Sequence, residues 1–212
     1  MTVPALDKIK WLGHDGFEIT TDGVTLMIDP FKVAGEHTAD VILVTHAHHD
    51  HCSTEDIARM VKPTTVIVTE PESAAKLESL CSDIRVVAPG DSLTVAGIPL
   101  EVVPAYNTNK DFHPKAKNWL GFIITIDNTR IYHAGDTDLI PEMGDLTVDV
   151  ALLPVSGTYV MTADEAVEAA RQILPKVAIP MHYDAIVGTA ADAEAFKQAL
   201  EGELDVVILG KG

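Results

Sequence analysis

Four of the nine histidines fall in one six-residue window, His46-Ala47-His48-His49-Asp50-His51. Imidazole is a common metal ligand, and residues two apart in an extended segment point the same way, so His46 and His48 can offer nitrogens to one ion. Asp50 and His51 enter the following turn and can face a second. Other candidates stand just past the ends of apolar runs: Asp29 after Ile28, Asp136 after Ala134-Gly135, and His182 after Pro180-Met181. One carboxylate can bridge two ions, as Asp136 would, and His182 can complete the second. Singly, Asp136 reads as a turn residue, His182 as a hydrogen-bonded core histidine, and the histidine run as a solvated loop capped by Asp50. Their convergence on strand ends favours a metal centre. Two cations close together generate a hydroxide nucleophile from water near neutral pH, which makes hydrolysis the expected reaction. Asp50 would orient that nucleophile or relay a proton to the leaving group. Asp29 can take the second N–H of a ligand histidine, or simply turn the chain before Pro30. His14, His133 and Tyr159 are candidates for the surrounding pocket, with a core aromatic as the equal reading for Tyr159. Cys52, directly after the run, reads as buried packing rather than a thiolate ligand.

These residues need strands to hold them. Segments 8–12, 17–20 and 24–28 alternate as antiparallel strands, the last two joined at Thr21-Asp22-Gly23, and 41–45 is a largely apolar strand leading into the histidine run. A helix over 53–62 follows, stopped by Pro63. Strands at 65–69 and 84–87 flank a helix over 72–80, and 93–103 holds two short strands parted at Gly97. The second half repeats this grammar, with strands 120–126 and 130–134 turning at Asp127-Asn128, then strand 148–153. Thr162 and Glu165 form a capping box for a helix over 163–174. Strand 177–179, helix 191–200 and strand 205–209 complete the chain. Two strand-then-helix halves without a linker predict an α/β architecture of two sheets packed face to face with helices outside.

Within that framework, H-x-H-x-D-H after one strand, Gly135-Asp136-Thr137 after a second and Pro180-Met181-His182 after a third resemble the metallo-β-lactamase superfamily over almost the whole chain. Trp11-Leu12-Gly13-His14, Ile28-Asp29-Pro30, Tyr132-His133-Ala134 and Met181-His182-Tyr183 are most similar to the branch containing ascorbate-6-phosphate lactonase and related small metal-dependent hydrolases. The resemblance implies an αββα sandwich of two mixed sheets. It also implies His46 and His48 on a first ion, Asp50, His51 and His182 on a second, and Asp136 bridging them. One position departs from the pattern: Asn107 stands where a third histidine of the first ion is usual. Either its amide oxygen serves, or His113 reaches in from the same polar loop; otherwise His113 contacts substrate. The expected cofactors are two divalent ions, zinc first, with manganese or iron open. The expected substrate is a small-molecule ester, lactone or phosphodiester, phosphorylated in the most similar branch. The alternative is a non-catalytic metal-binding protein of the same fold. A flavin-linked di-iron member is disfavoured, since such members carry glutamate at the position of His48.

Composition narrows the remaining classes. The 212 residues weigh 22.8 kDa, the size of one domain spanning 1–212. A net charge of −17 opposes a nucleic-acid groove. No Gly-rich phosphate loop or G-x-S-x-G elbow competes for the chemistry. No apolar stretch approaches the roughly 18 residues of a membrane span and no leader pattern opens the chain, so a cytoplasmic protein with no membrane partner is expected. Cys52 and Cys81 are expected as reduced thiols. Nothing in the sequence sets the oligomeric state.

Overall fold

Two tight hairpins share one turn geometry. Asp22 and Gly23 take φ of 46° and 78°, Asp127 and Asn128 take 50° and 59°, the doubly left-handed turn whose twist matches the strands it joins. The computed structural model describes residues 3–212. Its strands are β1 (Ile9–Gly13), β2 (Gly16–Thr21), β3 (Val24–Ile28), β4 (Ala39–Leu43), β5 (Val61–Thr69), β6 (Asp83–Val86), β7 (Ser92–Val95), β8 (Ile98–Pro104), β9 (Leu120–Ile126), β10 (Thr129–His133), β11 (Val150–Pro154), β12 (Val177–Met181) and β13 (Asp205–Val206). The helices are α1 (Thr54–Met60), α2 (Pro71–Leu77), α3 (Ala163–Ile173) and α4 (Ala190–Ala199).

One sheet runs β1-β2-β3-β4-β5-β6, the other β13-β12-β11-β10-β9-β8-β7. Each is mixed: β1 to β3 are antiparallel and β3 to β6 parallel, while β7 to β10 are antiparallel and β10 to β13 parallel. The period of two along β3 and β4 sorts side chains between two cores. Leu26, Ile28, Val41 and Leu43 join Phe122, Ile124 and Leu152 in the large core shared with the other sheet. Met27 and Ile42 face the opposite way, packing with Ile57 and Met60 of α1 and Leu77 of α2. The architecture is the expected α/β sandwich of two mixed sheets with helices on the outside.

Several element ends differ from expectation: the second helix stops at Leu77 rather than residue 80, and two other ends are set by contacts across the fold. The first helix stops at Met60 and the chain is already strand at Val61, paired with Ala39. Proline at 63 disfavours helical backbone at Lys62, and Thr65 pins the turn by accepting from Lys62 N at 2.9 Å and donating to Ala39 O at 2.5 Å. The last strand ends at Val206, because the chain leaves β12 and crosses to β1, where Gly212 N donates to Trp11 O at 2.9 Å. None of the described helices is long and apolar enough to cross a membrane. Cys52 and Cys81 are buried and unpaired.

Candidate metal centre

Every histidine and aspartate of the centre lies on a loop leaving the C-terminal end of a strand, so the parallel strands deliver them to one rim. After β4 the loop turns back on itself: the N–H groups of His51 and Cys52 both donate to His48 O, at 3.1 and 2.8 Å. That turn sets His51 beside His46, their ring centres 4.1 Å apart, with its Nε2 facing the opposite oxygen of Asp136. His14, Asp29 and His182 all have left-handed φ, at 54°, 40° and 62°. Such backbone is costly for non-glycine residues and is held by its surroundings. Here His182 N donates to His14 O at 3.1 Å and Asp29 N to Leu43 O at 3.0 Å. Gly135 (φ 62°) precedes Asp136 and lies where a β-carbon would stand 2.6 Å from Leu120 O, so only glycine lets β10 feed Asp136 inward.

The side chains form two sets. Ligand-type atoms of His46, His48 and His113 cluster within 4.8 Å of one another, as do those of His14, Asp50, His51 and His182. His46 Nε2 stands 3.0 Å from His48 Nδ1. Between the sets, Asp136 directs Oδ2 toward His113 Nε2 at 3.0 Å and His46 Nε2 at 3.9 Å. Its Oδ1 faces His51 Nε2 at 3.3 Å and His182 Nε2 at 3.4 Å. Asp50 Oδ2 is 3.8 Å from His51 Nε2 and 3.0 Å from His14 Nε2.

These residues fit metal ions. Two donors each about 2.0–2.1 Å from a tetrahedral ion stand about 3.3 Å apart, close to the separations found here. His51 Nε2, His113 Nε2, His182 Nε2 and Asp136 Oδ1 are buried without a hydrogen-bond partner, an arrangement that is costly unless a cation completes it. His48 and Asp50 are only half-buried and mark the open side.

The electrostatics separate the sets. Burial, with the neighbouring His51, holds His46 well below the usual imidazole range, and burial with His113 lowers His48. Both are neutral at physiological pH, the form that ligates. Burial also opposes the charged forms of His51 and His182, yet Asp136 with Asp29 raises the first, and Asp136 with Asp15 lifts the second to about 9. For Asp136, burial pushes upward and is outweighed by His182 and His51, which hold it well below the carboxylate range. Burial brings His14 down to about 4, against its hydrogen bond to Asp50. Asp50 is itself lowered, since the His14 bond and His51 outweigh burial.

Supporting contacts fix the ligands' other ends. Asp29 accepts from Thr45 N at 2.8 Å, from the Thr45 hydroxyl at 2.5 Å and from His51 Nδ1 at 2.8 Å. His46 Nδ1 meets the Thr45 hydroxyl at 3.0 Å, and His182 Nδ1 meets Ser156 Oγ at 2.8 Å. Each bond directs the opposite ring nitrogen inward. The Asn107 amide is engaged within its own loop and at Tyr159 and Asp138. Its Oδ1 accepts from His113 N at 2.8 Å, while its Nδ2 donates to Tyr159 O at 2.9 Å and Asp138 Oδ1 at 3.1 Å. Of the two residues weighed for the first set, His113 enters it and Asn107 positions His113. Asp138, buried at the base of this loop, also accepts from Thr108 N, Asn109 N and Lys110 Nζ, at 2.8, 3.2 and 2.5 Å.

His133 faces elsewhere: its Nδ1 accepts from Gly135 N and its Nε2 donates to Asp15 O at 2.9 Å, tying the two sheets together. The Tyr159 ring packs edge-on against Phe112, and only its carbonyl touches the centre's supports. His49 projects into solvent with 80% of its side chain exposed. Sequence reasoning did not single out Trp119 or Asp15. The Trp119 ring walls the first set, 4.7 Å from His46 and 4.8 Å from His48. Asp15 is fully buried beside His51, Asp136 and His182, and burial raises its carboxyl far above the usual range. Its signal was a charged residue between His14 and Gly16 in a hairpin whose strands are otherwise largely apolar.

Residues 8–182 match the β-lactamase superfamily domain. Over 220 residues the chain is 34% identical to a metal-dependent hydrolase of Thermococcus onnurineus, covering 97% of each. Over 218 residues it is 37% identical to one of Methanoregula boonei, covering 96% of this chain and 95% of that protein. Among solved structures it is similar to a metallo hydrolase from Ignicoccus hospitalis, with a TM-score of 0.79, 27% identity, and coverage of 96% of this chain and 95% of that one. The diiron β-hydroxylase CmlA of Streptomyces venezuelae shares the fold at 15% identity and a TM-score of 0.75, with 95% of this chain and 52% of that one covered.

Proposed function

Because the chain belongs to the β-lactamase superfamily, we propose that it is a metal-dependent hydrolase whose two sets of ligands hold two divalent cations, zinc first and manganese or iron as alternatives, and that it cleaves a small-molecule ester, lactone or phosphodiester. The observation that carries this reading is the split orientation of Asp136, one oxygen toward His46 and His113 and the other toward His51 and His182. Bound there, the cations would supply a water-derived nucleophile near neutral pH and positive charge opposite a developing oxyanion.

The protein's own groups do the rest. Asp136 keeps the two sets in register because both of its oxygens are aimed by buried histidines. Asp29 holds His51, Thr45 holds His46 and Ser156 holds His182, so the rings keep their orientation without help from substrate. His14 fixes Oδ2 of Asp50, leaving Oδ1 on the half-exposed side to take a proton and pass it to a leaving group. Trp119 keeps water away from the inner faces of His46 and His48.

A local positive centre made by two cations accepts a small anion such as a phosphorylated substrate, whereas the net charge of −17 repels a long polyanion. The buried, unpaired thiols fit a reducing compartment such as the cytoplasm.

The test is hydrolysis of bis-p-nitrophenyl phosphate and of a phosphorylated lactone by protein purified without chelator and reloaded separately with Zn²⁺ and Mn²⁺, beside the Asp50→Asn variant. Metal-dependent turnover that the variant loses supports the reading. Equal turnover by the variant, or none on any ester, lactone or phosphodiester, overturns it.

A further inference from the structure

The turn between β1 and β2 carries a carboxylate with no partner. Asp15 has no exposed surface, and both of its oxygens are buried without a hydrogen bond. Its backbone is locked, since Asp15 O accepts from His133 Nε2 at 2.9 Å. The nearest cationic candidate is His51 Nδ1, 3.7 Å from Oδ2, but that nitrogen is engaged by Asp29 at 2.8 Å. No lysine or arginine reaches it among the described residues. A carboxyl enclosed with no hydrogen-bond partner is costly in either protonation state, so a site that retains one calls for a positive charge set against its oxygens.

The neighbours show where that charge belongs. Ligand-type atoms of Asp15, His51, Asp136 and His182 all lie within 4.8 Å of one another, and all four side chains are buried. His51 Nε2, His182 Nε2 and Asp136 Oδ1 are unpartnered as well. Four fully enclosed donors with unused lone pairs in one place make a cation site rather than a hydrogen-bond network. His51 and His182 are also the members shared with the set that contains Asp50.

We propose that Asp15 is a further ligand of the second cation, which makes that site carboxylate-rich and of higher coordination number than the three-histidine site. This rests on the two-cation reading above. Asp50, Asp136 and Asp15 would give the second ion oxygen from three side chains beside the nitrogens of His51 and His182, against three nitrogens and the single other oxygen of Asp136 for the first. Oxygen-rich sites suit harder ions such as Mn²⁺, and imidazole-rich sites suit Zn²⁺, so the two positions differ in preference.

The experiment titrates metal-free wild type, Asp15→Asn and Asp15→Ser with Co²⁺ and with Mn²⁺. Bound ions are counted by equilibrium dialysis and elemental analysis, and the visible absorption of bound Co²⁺ reports coordination number. Wild type should bind two ions. Asp15→Asn, nearly isosteric but uncharged, should keep the first at wild-type affinity and bind the second at least tenfold more weakly. The Co²⁺ bands of the second equivalent should intensify as a ligand is lost. Metal-free Asp15→Asn should melt no lower than wild type, because no hydrogen bond of the Asp15 side chain is lost. Where Asp15→Asn fails to fold, the smaller Asp15→Ser is read the same way. A second ion bound by the variant with unchanged affinity and spectrum overturns the assignment, as does equal weakening of both ions. Wild type binding a single ion instead overturns the two-cation reading, and the assignment with it.

Discussion

Replacing Asp29 by asparagine tests the support of the centre at its most connected point. The wild-type carboxylate is fully buried and accepts three hydrogen bonds, from Thr45 N, Thr45 Oγ1 and His51 Nδ1. Asparagine keeps one oxygen, which can still accept from Thr45 N, but presents an NH₂ group to the hydroxyl and the imidazole. Two charge-assisted bonds give way to neutral ones running the other way, each weaker by about 1.5 kcal/mol, so the metal-free protein should lose about 3 kcal/mol. For a domain of this size each kcal/mol moves the melting temperature by about 2–4 °C, which gives a fall of about 6–12 °C by calorimetry. The ligand consequence is larger. Opposite an NH₂ group, His51 Nδ1 must accept, so the proton moves to Nε2, the nitrogen that faces Asp136 and Asp50. A protonated Nε2 cannot ligate, and affinity for one cation should fall by about 10–100-fold in a metal titration while the other is held as before. Thr45→Val removes the hydroxyl link alone and should cost less in stability, with its binding loss falling on the His46 set. A melting temperature within 2 °C of wild type together with unchanged affinity for both ions would refute the claim that Asp29 sets the tautomer of His51.

Asp138→Asn should loosen the loop that carries His113, because Asp138 ties together Asn107, Thr108, Asn109 and Lys110; Zn²⁺ binding by the three-histidine set should weaken about tenfold in a chelator competition, with the other set unaffected. Gly135→Ala puts a β-carbon 2.6 Å from Leu120 O at a φ of 62°, so we expect at least about 2 kcal/mol of destabilisation by denaturant melts, whereas the same change at Gly23, with open space around it, should cost far less. Asp56 links α1 to the segment before β4: although burial opposes its charge, the bonds from Ser53, Lys32 N and Arg59 outweigh it and lower the carboxyl. A lowered folded value means that this stabilisation is complete above the unfolded value of about 3.9 and is lost as pH falls through the folded value; the stability gap between wild type and Asp56→Ala should be full at pH 7 and shrink below about pH 4 in urea melts.

The residue types of the centre were legible in the sequence because the strands are short, strongly apolar and end abruptly. An apolar run that stops at a histidine or aspartate marks a strand's C-terminal end, and the alternation of Leu26, Met27 and Ile28 or of Val41, Ile42 and Leu43 already specifies a sheet buried on both faces. The hairpins at Asp22-Gly23 and Asp127-Asn128 and the capping box of Thr162 with Glu165 were visible for the same reason, since each depends only on neighbours in the chain. The early end of α1 at Met60 was not, because it is decided by Thr65 bonding across to Ala39 on another strand. The choice between Asn107 and His113 also lay beyond local pattern: it turns on Asp138 and Tyr159, 31 and 52 residues beyond Asn107, folding the loop so that the amide holds the imidazole. Asp15 and Trp119 join the centre only because the sheets pack face to face and the β1–β2 turn is tied to His133 of the opposite sheet. Sequence determined which side chains were available at strand ends; the packing of one sheet on the other decided which of them share a centre, because the distances that matter there are fixed by contacts between segments far apart in the chain.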